Sequence, residues 1–189
     1  MRDLSMHVLD IAQNSIKARA THVTIDFAID ASGWLTLTVA DDGCGMDAAL
    51  LARVRDPFTT TRTTRKVGLG IPMLQQSAMM TGGTLSIESA VGQGTTLTAT
   101  LDLRHVDCPP MGEMCDTLLS LVVLNPDTPE FLFTAKEGEQ SALFDTAQVR
   151  AALGNEIPLN QPDIVEWIKA SIQEEFEPIL EVQTREIHR

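Results

Sequence analysis

Apolar residues recur at helical spacing over residues 4–19: Leu4, Val8, Ile11 and Ala12, a row continued by Ser15 and Ile16. The period then drops to two. Thr21 to Ile29 alternates, with Val23, Ile25, Phe27 and Ile29 on one face, which predicts a half-buried strand. Asp30-Ala31-Ser32-Gly33 reads as a hairpin turn, and Trp34 to Ala40 as the partner strand with Leu35, Leu37 and Val39 inward. Asp41-Asp42-Gly43-Cys44-Gly45 breaks this alternation. Asp47 is placed to cap a short helix through about Arg55. Residues 56–67 have no clear period, are rich in Thr and cations, and read as a mobile surface loop. Gly68-Leu69-Gly70 leads into a helix that tolerates Pro72 in its first turn and ends near Gly82-Gly83. Two more strands are predicted, Thr84 to Ser89 and Thr95 to Leu103, joined by Val91-Gly92-Gln93-Gly94.

Beyond a linker-like Cys108 to Gly112 with Pro109-Pro110, strands are predicted at Leu118–Leu124 and Phe131–Ala135. Helices are predicted at Phe144–Leu153 and from Pro162 to about Leu180. Charge divides the chain at about the same place. Residues 1–104 hold 9 Lys+Arg against 10 Asp+Glu, and residues 105–189 hold 5 against 16. Nearly all of the net charge of −12 therefore sits in the second part, which suggests two units with different surfaces, 1–104 and 105–189. The acidity argues against nucleic acid as a partner, since phosphate contacts need clustered cations. The 43% apolar content is enough for a packed core. No apolar run approaches the roughly 18 residues of a membrane span. No signal-peptide layout opens the chain. The three cysteines, Cys44, Cys108 and Cys115, form neither a disulfide framework nor a zinc ligand set. A cytoplasmic location is the expectation from these features.

Candidate chemistry begins on the first helix. Asp10, Asn14 and Lys17 lie four and three residues apart and share a face, with Ala18 beside it. Such a stripe reads either as a solvated face or as a metal–phosphate site. In the second reading Asn14 offers an oxygen to magnesium and Lys17 meets a phosphate as a point charge. Asp41, directly after an apolar strand, accepts hydrogen bonds only when ionised. It suits the exocyclic amine of adenine, while Gly43 and Gly45 allow close backbone approach. Arg62, Arg65 and Lys66 lie near three consecutive threonines, a mixture that suits phosphate oxygens. Gly68-Leu69-Gly70 precedes a helix start, where free amides favour anions.

Read in order, these segments resemble the histidine-kinase-like ATPases, the superfamily of sensor-kinase, type II topoisomerase, mismatch-repair and heat-shock chaperone nucleotide domains. The matching motifs are Leu9 to Ala18, Asp41-Asp42-Gly43-Cys44-Gly45, Asp56 to Arg62, Gly68-Leu69-Gly70-Ile71 and Gly92-Gln93-Gly94-Thr95. They cover about residues 4–104. The resemblance implies Asn14 as the magnesium-binding residue, Lys17 as a phosphate contact and Asp41 as the adenine-binding carboxylate. It implies Gly43, Gly45 and Met46 around the base, and a lid from Phe58 through Thr60, Thr61, Arg62 and Lys66 to Val67. It also implies Gly68, Leu69, Gly70 and Ile71 at the phosphates, and Thr95 beside the base. ATP and Mg2+ are the implied ligands.

Two features depart from the pattern. Hydrolysing members usually have Glu at the position of Asp10, and sensor kinases Asn. Asp10 therefore reads as a base acting through water, as a second magnesium ligand, or as an acid that only tunes the metal site. The helical hairpin with a phosphoacceptor histidine, usual in sensor kinases, is not seen ahead of the Asn-bearing helix in these residues, and autophosphorylation by that route is not expected. An acceptor on another protein, or on the acidic C-terminal part, is then expected. The expected fold is a two-layer α/β sandwich of the histidine-kinase-like ATPase type, with a smaller C-terminal α+β unit. That unit is acidic and is the expected protein-interaction surface. The expected activity is ATP-dependent protein phosphotransfer or slow ATP hydrolysis; an ATP-gated regulatory module that binds without consuming ATP is the rival.

Overall fold

A computed structural model describes residues 3–55, 70–154 and 157–180. Its elements are α1 (Leu4–Lys17), β1 (His22–Ile29), β2 (Trp34–Asp41), α2 (Ala48–Arg55), α3 (Gly70–Met80), β3 (Leu85–Ala90), β4 (Gly94–Asp102), α4 (Met114–Leu124), β5 (Glu130–Glu137), β6 (Gln140–Asp145), α5 (Thr146–Leu153) and α6 (Pro162–Leu180). The strands form one sheet in the order β3-β4-β2-β1-β5-β6. Among the described strands β1 and β5 pair in parallel and the other neighbours antiparallel, so the sheet is mixed.

The period-two pattern decides which face is covered. Val23, Ile25, Phe27, Leu35, Leu37, Val39, Leu97, Ala99 and Leu101 are all buried. They meet Leu4, Val8 and Ile11 of α1 and Leu74 and Ala78 of α3 in one hydrophobic core. The alternate positions, among them Thr24, Thr36, Thr38, Thr96, Thr98 and Thr100, stay half-buried on the opposite face. This is the expected two-layer arrangement, with helices on one side of the sheet.

The last third of the chain enters the same sheet. β5 pairs along the whole of β1, from His22 opposite Glu130 to Ile29 opposite Glu137. Phe131, Phe133 and Ala135 continue the buried rows, and α4 and α6 extend the helical layer with Leu118, Leu121, Val122, Ile168, Ile172 and Phe176. The predicted α+β appendage is thus built as an extension of the sheet at its β1 edge.

Two predicted elements differ. Leu118–Leu124 is part of helix α4 and not a strand. A run that is apolar at six of its seven positions carries no clear period of its own. In the fold its buried residues, Met114, Leu118, Leu121 and Val122, fall at helical spacing because α4 is packed between α1 and α6. The helix predicted from Phe144 begins two residues later, at Thr146, and Phe144 belongs to strand β6. Glu137 pairs with Gln140 across a two-residue turn, so β5 and β6 form a tight hairpin. Asp145 ends the strand and caps α5, accepting the Ala147 N–H at 2.9 Å.

Candidate functional site

Both ends of α1 are fixed. At its start Asp3 Oδ1 accepts the Met6 N–H at 3.0 Å. The first-turn amides of Leu4 and Ser5 donate to the carbonyls of Pro110 and Met111 at 2.9 and 3.0 Å. Amides that a helix start leaves unpaired are thereby satisfied by the linker-like segment. At the other end Ala18 donates to the Asn14 carbonyl at 2.9 Å, and Arg19 takes a left-handed φ of 58° that turns the chain into β1.

Asp41 closes β2 and points toward the helical layer. Its Oδ2 accepts the Ser15 hydroxyl at 2.7 Å, and its Oδ1 accepts the Gly43 N–H at 2.9 Å. An ionised carboxylate offers about four lone-pair sites, so two donors orient it and leave acceptor capacity for a ligand. Thr95 lies directly opposite Asp41 in the β2–β4 pairing. The Thr95 hydroxyl is 2.9 Å from Ser89 Oγ, which also accepts the Met46 N–H at 2.9 Å. The turn is pulled onto α1 by the Cys44 N–H, which donates to the Ala18 carbonyl at 2.9 Å.

Glycine is required where the backbones crowd. At Gly45, with φ +64°, a Cβ would lie 1.9 Å from the Ala90 carbonyl oxygen. At Gly70 a Cβ would lie 2.8 Å from both Cβ and Oδ2 of Asp10. The Asp10 carboxylate therefore abuts the first turn of α3, where a helix carries partial positive charge. One turn earlier on α1, His7 is fully buried, against the backbone of Gly70. Burial pushes its pKa down; the Gly70 backbone, Asp3 and Asp10 favour the protonated ring without reversing the direction.

The fold brings together Asp41 with Thr95, Ala18 with the glycine turn, and Asp10 with Gly70. Asn14 is half-buried between Asp10 and an exposed Lys17, and Ile71 is buried in the core. Phe58, Thr60, Thr61, Arg62, Lys66, Val67, Gly68 and Leu69 lie outside the described residues. Ser15 and Ser89 were not singled out by the sequence. Ser15 read as one more member of the buried row, and it is buried; its being the single hydroxyl in that row was the available signal. A cleft lined by Glu113, Asp116, Gln173 and Glu177 between α4 and α6 contains none of the predicted site residues. Among the described residues no helix is long and apolar enough to cross a membrane.

Comparison with known proteins places a family on this geometry. Residues 2–105 match the family model described as histidine kinase-, DNA gyrase B-, and HSP90-like ATPase. The non-motile and phage-resistance protein of Caulobacter vibrioides is 34% identical over 116 residues, which is 56% of this chain and 14% of that protein. Histidine protein kinase DivJ of the same organism is 33% identical over 106 residues, 53% of this chain and 18% of that protein. The chain thus spans less than a fifth of the length of these curated relatives. Among solved structures, the N-terminal domain of a DNA repair protein superposes with a TM-score of 0.50 at 15% identity, over 76% of this chain and 52% of that one. That likeness concerns the fold alone.

Proposed function

The chain belongs to the histidine kinase-, DNA gyrase B-, and HSP90-like ATPase family, and on that premise we propose that it binds Mg-ATP and passes the γ-phosphoryl group to a protein acceptor or, slowly, to water. The observation that carries this reading is the Asp41 carboxylate, oriented by Ser15 and Gly43 across from Thr95. A fixed acceptor of this kind suits the adenine amine. Gly43, Gly45 and Met46 would wall the base.

The phosphate end falls to α1 and to the start of α3. Among the described residues no three His, Cys, Asp or Glu side chains gather into a metal cage. Magnesium fits this donor set all the same, because it commonly takes one or two protein oxygens and completes its shell with phosphate and water. Asn14 would supply the amide oxygen, with Asp10 one turn away on the same face. The bound ion would neutralise charge on the phosphates. Lys17 would hold a phosphate oxygen, and Thr60, Thr61, Arg62 and Lys66 would contribute hydroxyls and cations from the lid. Gly68, Leu69, Gly70 and Ile71 would present the phosphates with a helix start. Phosphoryl transfer needs chiefly positioning and charge neutralisation. The bond between the γ-phosphorus and the bridging oxygen breaks, ADP leaves, and the acceptor's oxygen or nitrogen takes the phosphoryl group. Asp10 would accept the proton of a water nucleophile in the hydrolytic branch. Incubating the intact chain with γ-labelled ATP and its co-purifying proteins tests this. Label transfer or ADP formation well above an Asn14→Ala control is expected; neither appearing refutes it.

One observation favours a second reading, an ATP-gated regulator. The segment leading into the acidic part caps α1 through Pro110 and Met111, and α4 packs on α1. Nucleotide bound at Asn14 would then be felt by the acidic surface, which would engage a partner in one state only. Asp10→Asn separates the two readings. It abolishes ADP formation if Asp10 is the base, and it leaves ATP-dependent partner binding intact in a regulator.

A further inference from the structure

The residue between Asp41 and Gly43 is more extensively bound than either. Asp42 Oδ1 accepts the backbone N–H groups of Thr21 and His22 at 2.7 and 2.8 Å. Its Oδ2 accepts the Thr21 hydroxyl at 2.5 Å and faces His22 Nδ1 at 3.1 Å. These four contacts reach back some twenty residues, to the point where the chain leaves α1 and enters β1. Asp42 is nevertheless on the surface, its side chain 45% exposed. A solvated acid in a turn has no need of four partners. Partial desolvation works to raise its pKa and is outweighed by the Thr21 hydroxyl, the His22 backbone and ring and the Thr21 backbone, which hold the carboxyl well below the ordinary range.

Three positions of the turn, 41, 42 and 44, each tie it to a different point on the same stretch. Asp41 is tied to Ser15 within α1, Cys44 to Ala18 at its end, and Asp42 to Thr21 and His22 just beyond. The peptide between Asp42 and Gly43 carries the N–H that fixes Asp41 Oδ1. Its orientation is therefore set on one side by Asp42 and on the other by Cys44.

We propose that Asp42 is a positioning residue for purine selection: by clamping the glycine turn to the start of β1 it holds the Gly43 N–H on Asp41, and so holds the Asp41 carboxylate where it accepts from the adenine amine and repels the guanine carbonyl. This rests on the ATP reading above. Without the clamp the Gly43 peptide turns, Asp41 Oδ1 loses its donor, and the carboxylate swings. Affinity for ATP falls, while GTP, which gained nothing from the fixed carboxylate, loses little. Asparagine keeps the main contacts: its oxygen accepts the two backbone N–H groups, and its amide donates to the Thr21 hydroxyl oxygen.

Calorimetric titration of the full chain with MgATP and with MgGTP tests the assignment. Asp42→Ala weakens ATP binding about tenfold and GTP binding far less, so the ATP-to-GTP preference narrows. Asp42→Asn recovers most of that preference, and Thr21→Val falls between. A role confined to holding the fold would lower the melting temperature and leave the preference unchanged below the melt. Equal weakening of both nucleotides, unaltered ATP affinity in Asp42→Ala, or an Asp42→Asn variant as poor as Asp42→Ala each overturns the proposal. Should Asp42→Ala not fold, Thr21→Val decides, since an unchanged preference in that variant also overturns it. A wild-type chain that binds neither nucleotide overturns the ATP reading itself and this assignment with it.

Discussion

At the scale of single residues, the Asp41 and Asp42 carboxylates are held chiefly by hydroxyls and peptide amides among the described residues. Asp41 has Ser15 and Gly43; Asp42 has Thr21 and His22. Hydrogen bonds to a charged acceptor are worth about 1.5–3 kcal/mol, and a buried group robbed of its partner loses about that much. Ser15→Ala should therefore lower stability by roughly 1–2 kcal/mol in a denaturant titration and weaken ATP binding several-fold in calorimetry. Retained affinity would show that Asp41 needs no orienting donor. His7 gives a pH dependence. Its folded pKa is depressed by burial, so the unfolded chain binds the proton more readily. The neutral ring's contribution is fully present above the ordinary histidine pKa of about 6.5 and is lost as pH falls below it. Melting temperatures should decline from pH 7 to pH 5, and less so in His7→Leu. Asp41, Asn14 and the glycines stand out in the sequence as candidates because Asn14 sits on a polar stripe of α1 and Asp41 with its glycines ends an apolar strand. Asp42 was not. Its four partners lie across a turn that only the fold closes, and in the sequence it is one acid of an ordinary Asp-Asp-Gly turn.

Among the elements, the strands of the nucleotide half were legible because one face of each is covered and the other is open, which enforces alternation. The reading failed where that asymmetry is absent. The second half of α4 is almost wholly apolar because α1 and α6 flank it, and a six-residue β6 is too short to declare a period before Asp145 starts a helix. That boundary can be tested. Asp145→Ala removes the acceptor for Ala147 and should cost about 0.5–2 kcal/mol, a typical loss for a helix cap. An unchanged denaturation midpoint would mean that the β5–β6 hairpin alone fixes where α5 begins. Among the described strands β6 lies at the edge of the sheet, and another element guards it: Leu143 N–H donates to Glu175 of α6 at 3.2 Å. A charged side chain laid along an unpaired edge discourages strand addition by a second chain.

For the molecule as a whole, the charge boundary near residue 104 and the packing boundary do not coincide. A cut after 104 removes β5 from the full length of β1 and α4 from the flank of α1. It uncovers Val23, Ile25 and Phe27 at the new edge of the sheet. We expect residues 1–104 alone to melt on the order of 10 °C or more below the intact chain, or to aggregate in size-exclusion chromatography. Equal melting temperatures would establish the two parts as independent. The pairing of β1 with β5 also bears on synthesis. Thr134 donates to Asp26 across 108 residues of sequence, so the strand that follows the Asn-bearing helix leaves the ribosome long before its neighbour exists. At about 5–20 residues per second, β1 waits several seconds with one edge bare. During that interval the nascent chain presents a ready template for wrong pairing, and a holding chaperone that covers β1 until the β5–β6 hairpin emerges would raise the yield of folded protein more than one acting after release.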